Sequence, residues 1–129
     1  MIAAVIGSRG FLNYAGLRRT LAQYPITRIV SGGAEGADTL AAEWSESKGL
    51  EPPVIFLPDW AKHGRAAGPI RNRDIVDAAD FVVAFWDGKS RGTLSSIRYA
   101  AKTNKPCHVW LYDAESLEIL RLMDPVEIV

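Results

Sequence analysis

Five short apolar runs, each separated from the next by a stretch of helical spacing, decide what this chain can fold into. They are IAAVIG (2–7), TRIVSG (27–32), PVIFLP (53–58), FVVAFW (81–86) and CHVWLY (107–112). Each is too short for a helix and rich in branched or aromatic residues, as strands buried on both faces are. Between them, Tyr14, Leu17, Leu21 and Tyr24 fall at steps of three and four. Ala37, Leu40, Ala41 and Trp44 repeat at i, i+3, i+4 and i+7, and Gly49 is placed to end that helix. Ile75, Val76 and Ala79 make a shorter stripe after Pro69, and Leu94, Ile97 and Ala101 another. These stripes are core packing. The alternation predicts an α/β fold in three layers, a mostly parallel five-stranded sheet with helices on both faces. No linker, repeat or low-complexity segment interrupts it, so residues 1–129 are expected to form a single domain.

Composition narrows the function classes. Fifteen Lys plus Arg balance fifteen Asp plus Glu, so the broad basic field of a general nucleic-acid binder is missing, which argues against nucleic acid as a partner. Cys107 is the only cysteine, which excludes an intramolecular disulfide and a cysteine-rich metal site. In its apolar run it reads as a small buried residue rather than a reactive thiol. His63 and His108 stand far apart with no ligand pattern around them, so no metal is expected. No run approaches ~20 apolar residues, and the N-terminal run lacks the basic flank of a signal peptide. The expectation is no membrane span and a cytoplasmic location.

Unusual residues collect where the strands end. GSRGF (7–11) follows the first run, SGGAEGAD (31–38) the second and DGKSRGT (87–93) the fourth. In an open parallel sheet, ligands bind outside the carboxyl ends of the strands. Glycines let backbone amides approach an anion, and helix N-termini add unpaired donors with a favourable dipole. Three such loops at one edge predict a ligand crevice. SGGAEGAD is not G-x-G-x-x-G, and the GKS of 88–90 lacks the earlier glycine of a Walker A loop, since Val83 stands there. From Trp60 to Arg73 the chain carries Lys62, Arg65, Arg71 and Arg73 and no acidic residue. That segment is either a solvated loop or an anion-binding lid, hinged on Gly64, Ala66, Ala67 and Gly68. Trp60 is either a stacking surface for a base or a cap on the core. Near the crevice the carboxylates are Glu35, Asp38, Asp59, Asp74 and Asp87, of which Asp38 has a simpler role in stabilising the first turn of its helix.

With these loops assembled, the chain resembles the SLOG superfamily of Rossmann-like nucleotide-binding domains, most closely the YspA-type branch. The matching pieces are GSRGF, SGGAEGADTLAAEW, DWAKHGRAAGPIRNRDIV, AADFVVAFWDGKSRGT and AAKTNKPCHVW, spanning roughly residues 5 to 110. The resemblance implies a Rossmann-like sheet with a nucleotide-derived ligand across its top, NAD- or ADP-ribose-related molecules being the class proposed for many members. No cofactor is required by it. By position it implies ligand contacts from Gly7, Ser8 and Arg9, from Gly32, Gly33, Gly36 and Asp38, from Gly68, Arg71 and Asn72, and from Asp87, Ser90, Gly92 and Thr93; the loops themselves add Ala34, Trp60 and Gly88 as candidate ligand contacts. Amides near Gly33 and Gly92 would hold phosphate, Arg71 would supply charge, and Asp38 or Asp87 would accept from ribose hydroxyls. Relatives often pair through helices flanking the sheet, so a homodimer or higher homo-oligomer is compatible with it.

One departure from the pattern carries the functional question. The phosphoribohydrolases of this superfamily resemble P-G-G-x-G-T-x-x-E, with an essential glutamate. Aligning on Gly92-Thr93 puts Ser96 at that place, and the P-G-G element is absent. Deoxyribosyltransferases of similar architecture also use a glutamate after a G-T pair. A serine cannot stabilise an oxocarbenium-like centre as a carboxylate does. The first reading is therefore a small module that senses or sequesters a nucleotide derivative. An N-glycosidic or phosphoester hydrolase, with Asp38, Asp59 or Asp87 replacing the glutamate and Arg71 assisting, is the alternative. Single-stranded DNA binding comes third, since SGGAEGADTLAAEW is also similar to a segment of the DNA-processing protein A domain.

Overall fold

In the computed structural model, residues 1–128 are described. The strands are β1 (Ile2–Gly7), β2 (Arg28–Ser31), β3 (Val54–Ile55), β4 (Phe81–Trp86), β5 (Cys107–Tyr112) and β6 (Ile119–Leu122). They form one sheet in the order β3-β2-β1-β4-β5-β6. Neighbours run parallel except β5 and β6, which pair antiparallel. The crossovers hold helices α1 (Tyr14–Leu21), α2 (Ala37–Ser47), α3 (Trp60–His63), α4 (Ala67–Asp77) and α5 (Arg91–Lys102).

The runs of β1 and β4 lack polar residues because each of these central strands feeds two cores. Ala3 and Val5 of β1 join Leu17, Leu21, Ala41 and Trp44 from α1 and α2. Ala4 and Ile6, pointing the other way, join Ile75, Val76, Ile97 and Ala100 from α4 and α5. In β4, Phe81, Val83 and Phe85 enter the first core, and Val82, Ala84 and Trp86 enter the second. Each fully buried Leu or Val in such a layer stabilises the fold by about 1.5–3 kcal/mol. Helices thus cover both faces of the sheet.

Three expectations need correction. The sheet has six strands rather than five. Residues 119–122 were not read as a strand because β6 lies at the edge, with Leu120, Arg121 and Leu122 exposed and only Ile119 packed on a core. Its return is set by a tight turn in which the Leu117 and Asp113 amides donate to the carbonyls of Asp113 and Glu118. The third run is only half a strand. Pro52, Pro53 and Pro58 bracket it and cannot donate to a ladder, so β3 is a two-residue edge strand with Val54 and Ile55 exposed. Finally, the segment read as a loop or lid is helical through α3, a 3-10 turn (Gly64–Ala66) and α4. The Asp59 side chain caps α3 by accepting from the Lys62 amide, and Pro69 sits in the first turn of α4, where no intrahelical N–H is needed.

This order positions the site. The chain winds outward from β1 to β3 with α1 and α2 on one face. It then crosses to β4, on the other side of β1, with α4 and α5 on the opposite face. The strand order therefore reverses between β1 and β4, the place where an open α/β sheet leaves a crevice at its carboxyl edge.

Candidate functional site

A cleft of about 450 Å³ opens at that point. One wall is the end of β1 and its loop, Ile6, Gly7, Ser8 and Arg9. The opposite wall is the β4–α5 loop and the start of α5, with Asp87, Ser90, Gly92, Thr93 and Ser96. Ala34 and Asp38 come from the β2–α2 loop and α2, and Arg71, Asn72 and Ile75 come from one face of α4.

Each wall is held by identifiable contacts. Phe11 pins the first loop by burying its ring completely between Phe85, stacked at 4.7 Å, and Tyr112, edge-on at 4.8 Å. The Phe11 amide donates to the Ser8 carbonyl, closing the loop on itself. The second loop touches the first at Gly36, whose φ is +82°. A Cβ there would stand 2.5 Å from the carbonyl oxygens of both Ser8 and Arg9. Asp38 fixes the glycine-rich turn, because its Oδ2 accepts from the amides of Gly32 and Ala34, each at 3.1 Å. Burial pushes the Asp38 carboxyl above its usual value, while the Ala34 and Gly32 amides and the Arg71 charge pull it down.

Arg71 ties α4 to this turn. Its Nη1 donates to the Gly32 carbonyl at 2.8 Å and to that of Phe56 at 3.5 Å, and its Nε donates to Asn72 Oδ1 at 3.0 Å. The guanidinium is oriented by backbone oxygens before any ligand arrives. On the far wall, Asp87 Oδ1 accepts from the amides of Lys89 and Ser90 at 2.9 and 2.7 Å. Trp86 Nε1 donates to the Ser90 carbonyl at 3.1 Å, fixing where α5 begins.

The start of α5 is a free donor site. Ser90 is its N-cap, yet its side chain makes no capping bond and instead lies 3.2 Å from Thr93 Oγ1. The amides of Arg91, Gly92 and Thr93 precede the first intrahelical acceptor, so helix geometry leaves them unpaired. On the β1 wall Ser8 is only 8% exposed, and its Oγ is buried beside the Tyr112 phenol. The charged side chains on the walls are two arginines, Arg9 and Arg71, and two aspartates, Asp38 and Asp87. With those charges offset, net attraction for an anion falls to the α5 dipole and its amides.

Of the residues expected at the site, the cleft brings together Gly7, Ser8, Arg9, Ala34, Asp38, Arg71, Asn72, Asp87, Ser90, Gly92 and Thr93. Gly32, Gly33, Gly36, Trp60, Gly68 and Gly88 do not line it, nor does the candidate catalytic Asp59, which is spent on capping α3. Amides near Gly33 were expected to hold phosphate. Those of Gly32 and Ala34 are already occupied by Asp38, whereas the amides near Gly92, expected to do the same, are left unpaired by helix geometry. Trp60 does not cap the core, being 59% exposed. Ile6 and Ile75 were missed. Their signal was the alternation of β1 and the i, i+4 step from Arg71, which carry two core residues up to the cleft floor. Among the described residues, no three His, Cys, Asp or Glu side chains stand together as a metal site, and no helix is long and apolar enough to cross a membrane.

Fold and cleft together define a Rossmann-like domain whose crevice lies at the strand-order switch. The family described as YAcAr, the YspA, cpYpsA-related SLOG family, matches residues 1–63. That match agrees with the YspA-type SLOG resemblance read from the loops, and it supports, at a coarse level, binding related to nucleotides or nucleic acids. Among curated proteins, the Gene 61 protein of Mycobacterium phage D29 is 40% identical over 83 residues, covering 60% of this chain and 66% of that protein. Among solved structures, the single-stranded-DNA-binding DNA processing protein A of Helicobacter pylori superposes over 98% of this chain and 70% of its own, with a TM-score of 0.65 and 24% identity. That likeness shows the fold alone. The argument against nucleic acid drawn from neutral charge receives no support from it.

Proposed function

We propose that residues 1–129 act as one ligand-binding domain that senses or sequesters a nucleotide-derived molecule in the β1/β4 cleft. The NAD- or ADP-ribose-related class fits best. The observation that carries this reading is the uncapped start of α5 opening on a cleft in which backbone carbonyls already hold the Arg71 guanidinium. A phosphoryl group there would accept from the Gly92 and Thr93 amides, with Arg9 and the preset Arg71 supplying charge. A ribose would find acceptors in the remaining oxygens of Asp38 and Asp87. The cleft volume of about 450 Å³ lies within the usual range for small-ligand sites.

Binding is favoured over hydrolysis because both cleft carboxylates are recruited to hold loops, each by two backbone amides. Ser96 is buried, and its Oγ donates back to the Gly92 carbonyl at 3.4 Å. Thermal-shift titration with AMP, ADP-ribose and NAD tests the reading. A ligand at 100 times its Kd should stabilise by about 2.7 kcal/mol. Chromatography of the same mixtures should show no released base. No shift with any of these ligands would remove the reading, and base release would restore the hydrolase.

A second reading, single-stranded DNA, draws on the exposed cations Lys62, Arg65 and Arg73 beside the cleft and on the ligand named for the Helicobacter protein. A gel shift that weakens steeply between 50 and 200 mM salt would favour it.

A further inference from the structure

Four tryptophans occur in the chain, and three have structural employment. Trp44 and Trp86 are buried, and Trp110 donates to Tyr24. Trp60 differs. It is 59% exposed, and among the described residues no hydrogen bond engages its Nε1 and no aromatic ring stacks on it.

Its position relates it to the cleft. Arg71, Asn72 and Ile75 line the cleft from α4, and Gly68 precedes them at the spacing i, i+3, i+4, i+7. Gly68 therefore lies on the same helix face, about 4.5 Å further along the axis toward the N-terminus. Trp60 Cη2 covers that spot, 3.7 Å from where a Cβ of Gly68 would stand. The indole thus prolongs the α4 wall outward by one helical turn. Beside it, Lys62 and Arg65 are exposed and take part in neither of the two ion pairs found among the described residues. A bare indole flanked by unpaired cations suits a flat π system attached to an anion better than an apolar protein surface.

Resting on the reading of the cleft as a nucleotide site, we infer that Trp60 is the base platform: the base of the ligand stacks on its indole while the phosphoryl group sits at the start of α5. The recognised class is then a nucleoside phosphate with its base intact, not a sugar phosphate. Stacking tolerates every base, so selectivity among bases is expected to be weak.

Calorimetric titration of the full chain with AMP and with ribose 5-phosphate tests this, using wild type, Trp60→Ala and Trp60→Phe. An exposed side chain can be truncated without a core cavity, and matching circular dichroism and Tm confirm that each variant is folded. Trp60→Ala should weaken AMP about five- to 150-fold and leave ribose 5-phosphate unchanged, whereas Trp60→Phe should retain most of the AMP affinity. The inference is overturned if Trp60→Ala binds AMP like wild type, or loses both ligands equally. It is also overturned, alone, if wild type binds ribose 5-phosphate as tightly as AMP, because the base then contributes nothing. If wild type binds neither compound, nor ADP-ribose or NAD, the cleft reading fails and takes the platform with it; if it binds only ADP-ribose or NAD, an unchanged affinity of Trp60→Ala for that ligand overturns the platform alone.

Discussion

Gly36→Ala should damage the fold more than its single methyl suggests. Gly36 holds φ +82° and ψ −128°, a conformation that costs an L residue about 1–3 kcal/mol. Its new Cβ would also stand 2.5 Å from two carbonyl oxygens, those of Ser8 and Arg9. Neither oxygen belongs to a flexible side chain, so relief requires the β1–α1 and β2–α2 loops to separate, an overpacking cost of about 1–3 kcal/mol. Together these amount to roughly 2–6 kcal/mol, or a Tm lower by at least ~8 °C for a chain of this length. Urea denaturation measures it, with Gly49→Ala as the control. Gly49 has φ +65° but nothing within 4 Å of an added Cβ, so it should cost only about 1 kcal/mol. If Gly36→Ala and Gly49→Ala fall within error of each other, the close contact between the two loops that shapes the cleft is wrong.

Two further perturbations separate function from stability. An added Cβ at Gly92 meets nothing within 4 Å and lies in the first turn of α5. Gly92→Ala should therefore leave Tm within a few degrees of wild type while weakening AMP binding about tenfold or more, by crowding the amides that hold phosphate; unchanged binding would place the anion elsewhere. Asp38→Asn addresses pH. Because burial raises the Asp38 carboxyl above its ordinary 3.8, the folded state keeps that proton longer as pH climbs. Its contribution to stability is full below 3.8 and declines as pH rises through the raised folded value. Urea midpoints of Asp38→Asn relative to wild type should accordingly rise across that window, and a flat or falling difference would contradict the burial argument.

What was readable in advance follows from how locally each feature is encoded. IAAVIG and FVVAFW could be recognised because a strand between two helical layers has no polar face to disguise it. The edge strands resisted for the opposite reason. β6 keeps only Ile119 against a core, and β3 is cut short by the prolines around it. The residues 59–74 looked like a loop because of their glycines, whereas the Asp59 cap and the alanines carry them into helices. Arg71 and Asp38 could be named as site residues but not given their roles. Arg71 takes its main partner, the Gly32 carbonyl, from 39 residues away, and Asp38 consumes the glycine-loop amides that seemed ready for phosphate. The free start of α5 was legible in part, through Gly92-Thr93. That Ser90 leaves it uncapped depends on the rotamer of one hydroxyl.

The cleft as an anion site is tested most directly by titrating ¹⁵N-labelled protein with AMP and following its amide resonances. The largest shifts are expected at Gly92 and Thr93, with Ser8 and Arg9 across the cleft moving along the same saturation curve, while Gly32 and Ala34, held by Asp38, move less. Saturable shifts centred on Gly32 to Gly36 with Gly92 and Thr93 unmoved, or no shifts at millimolar AMP, would contradict it.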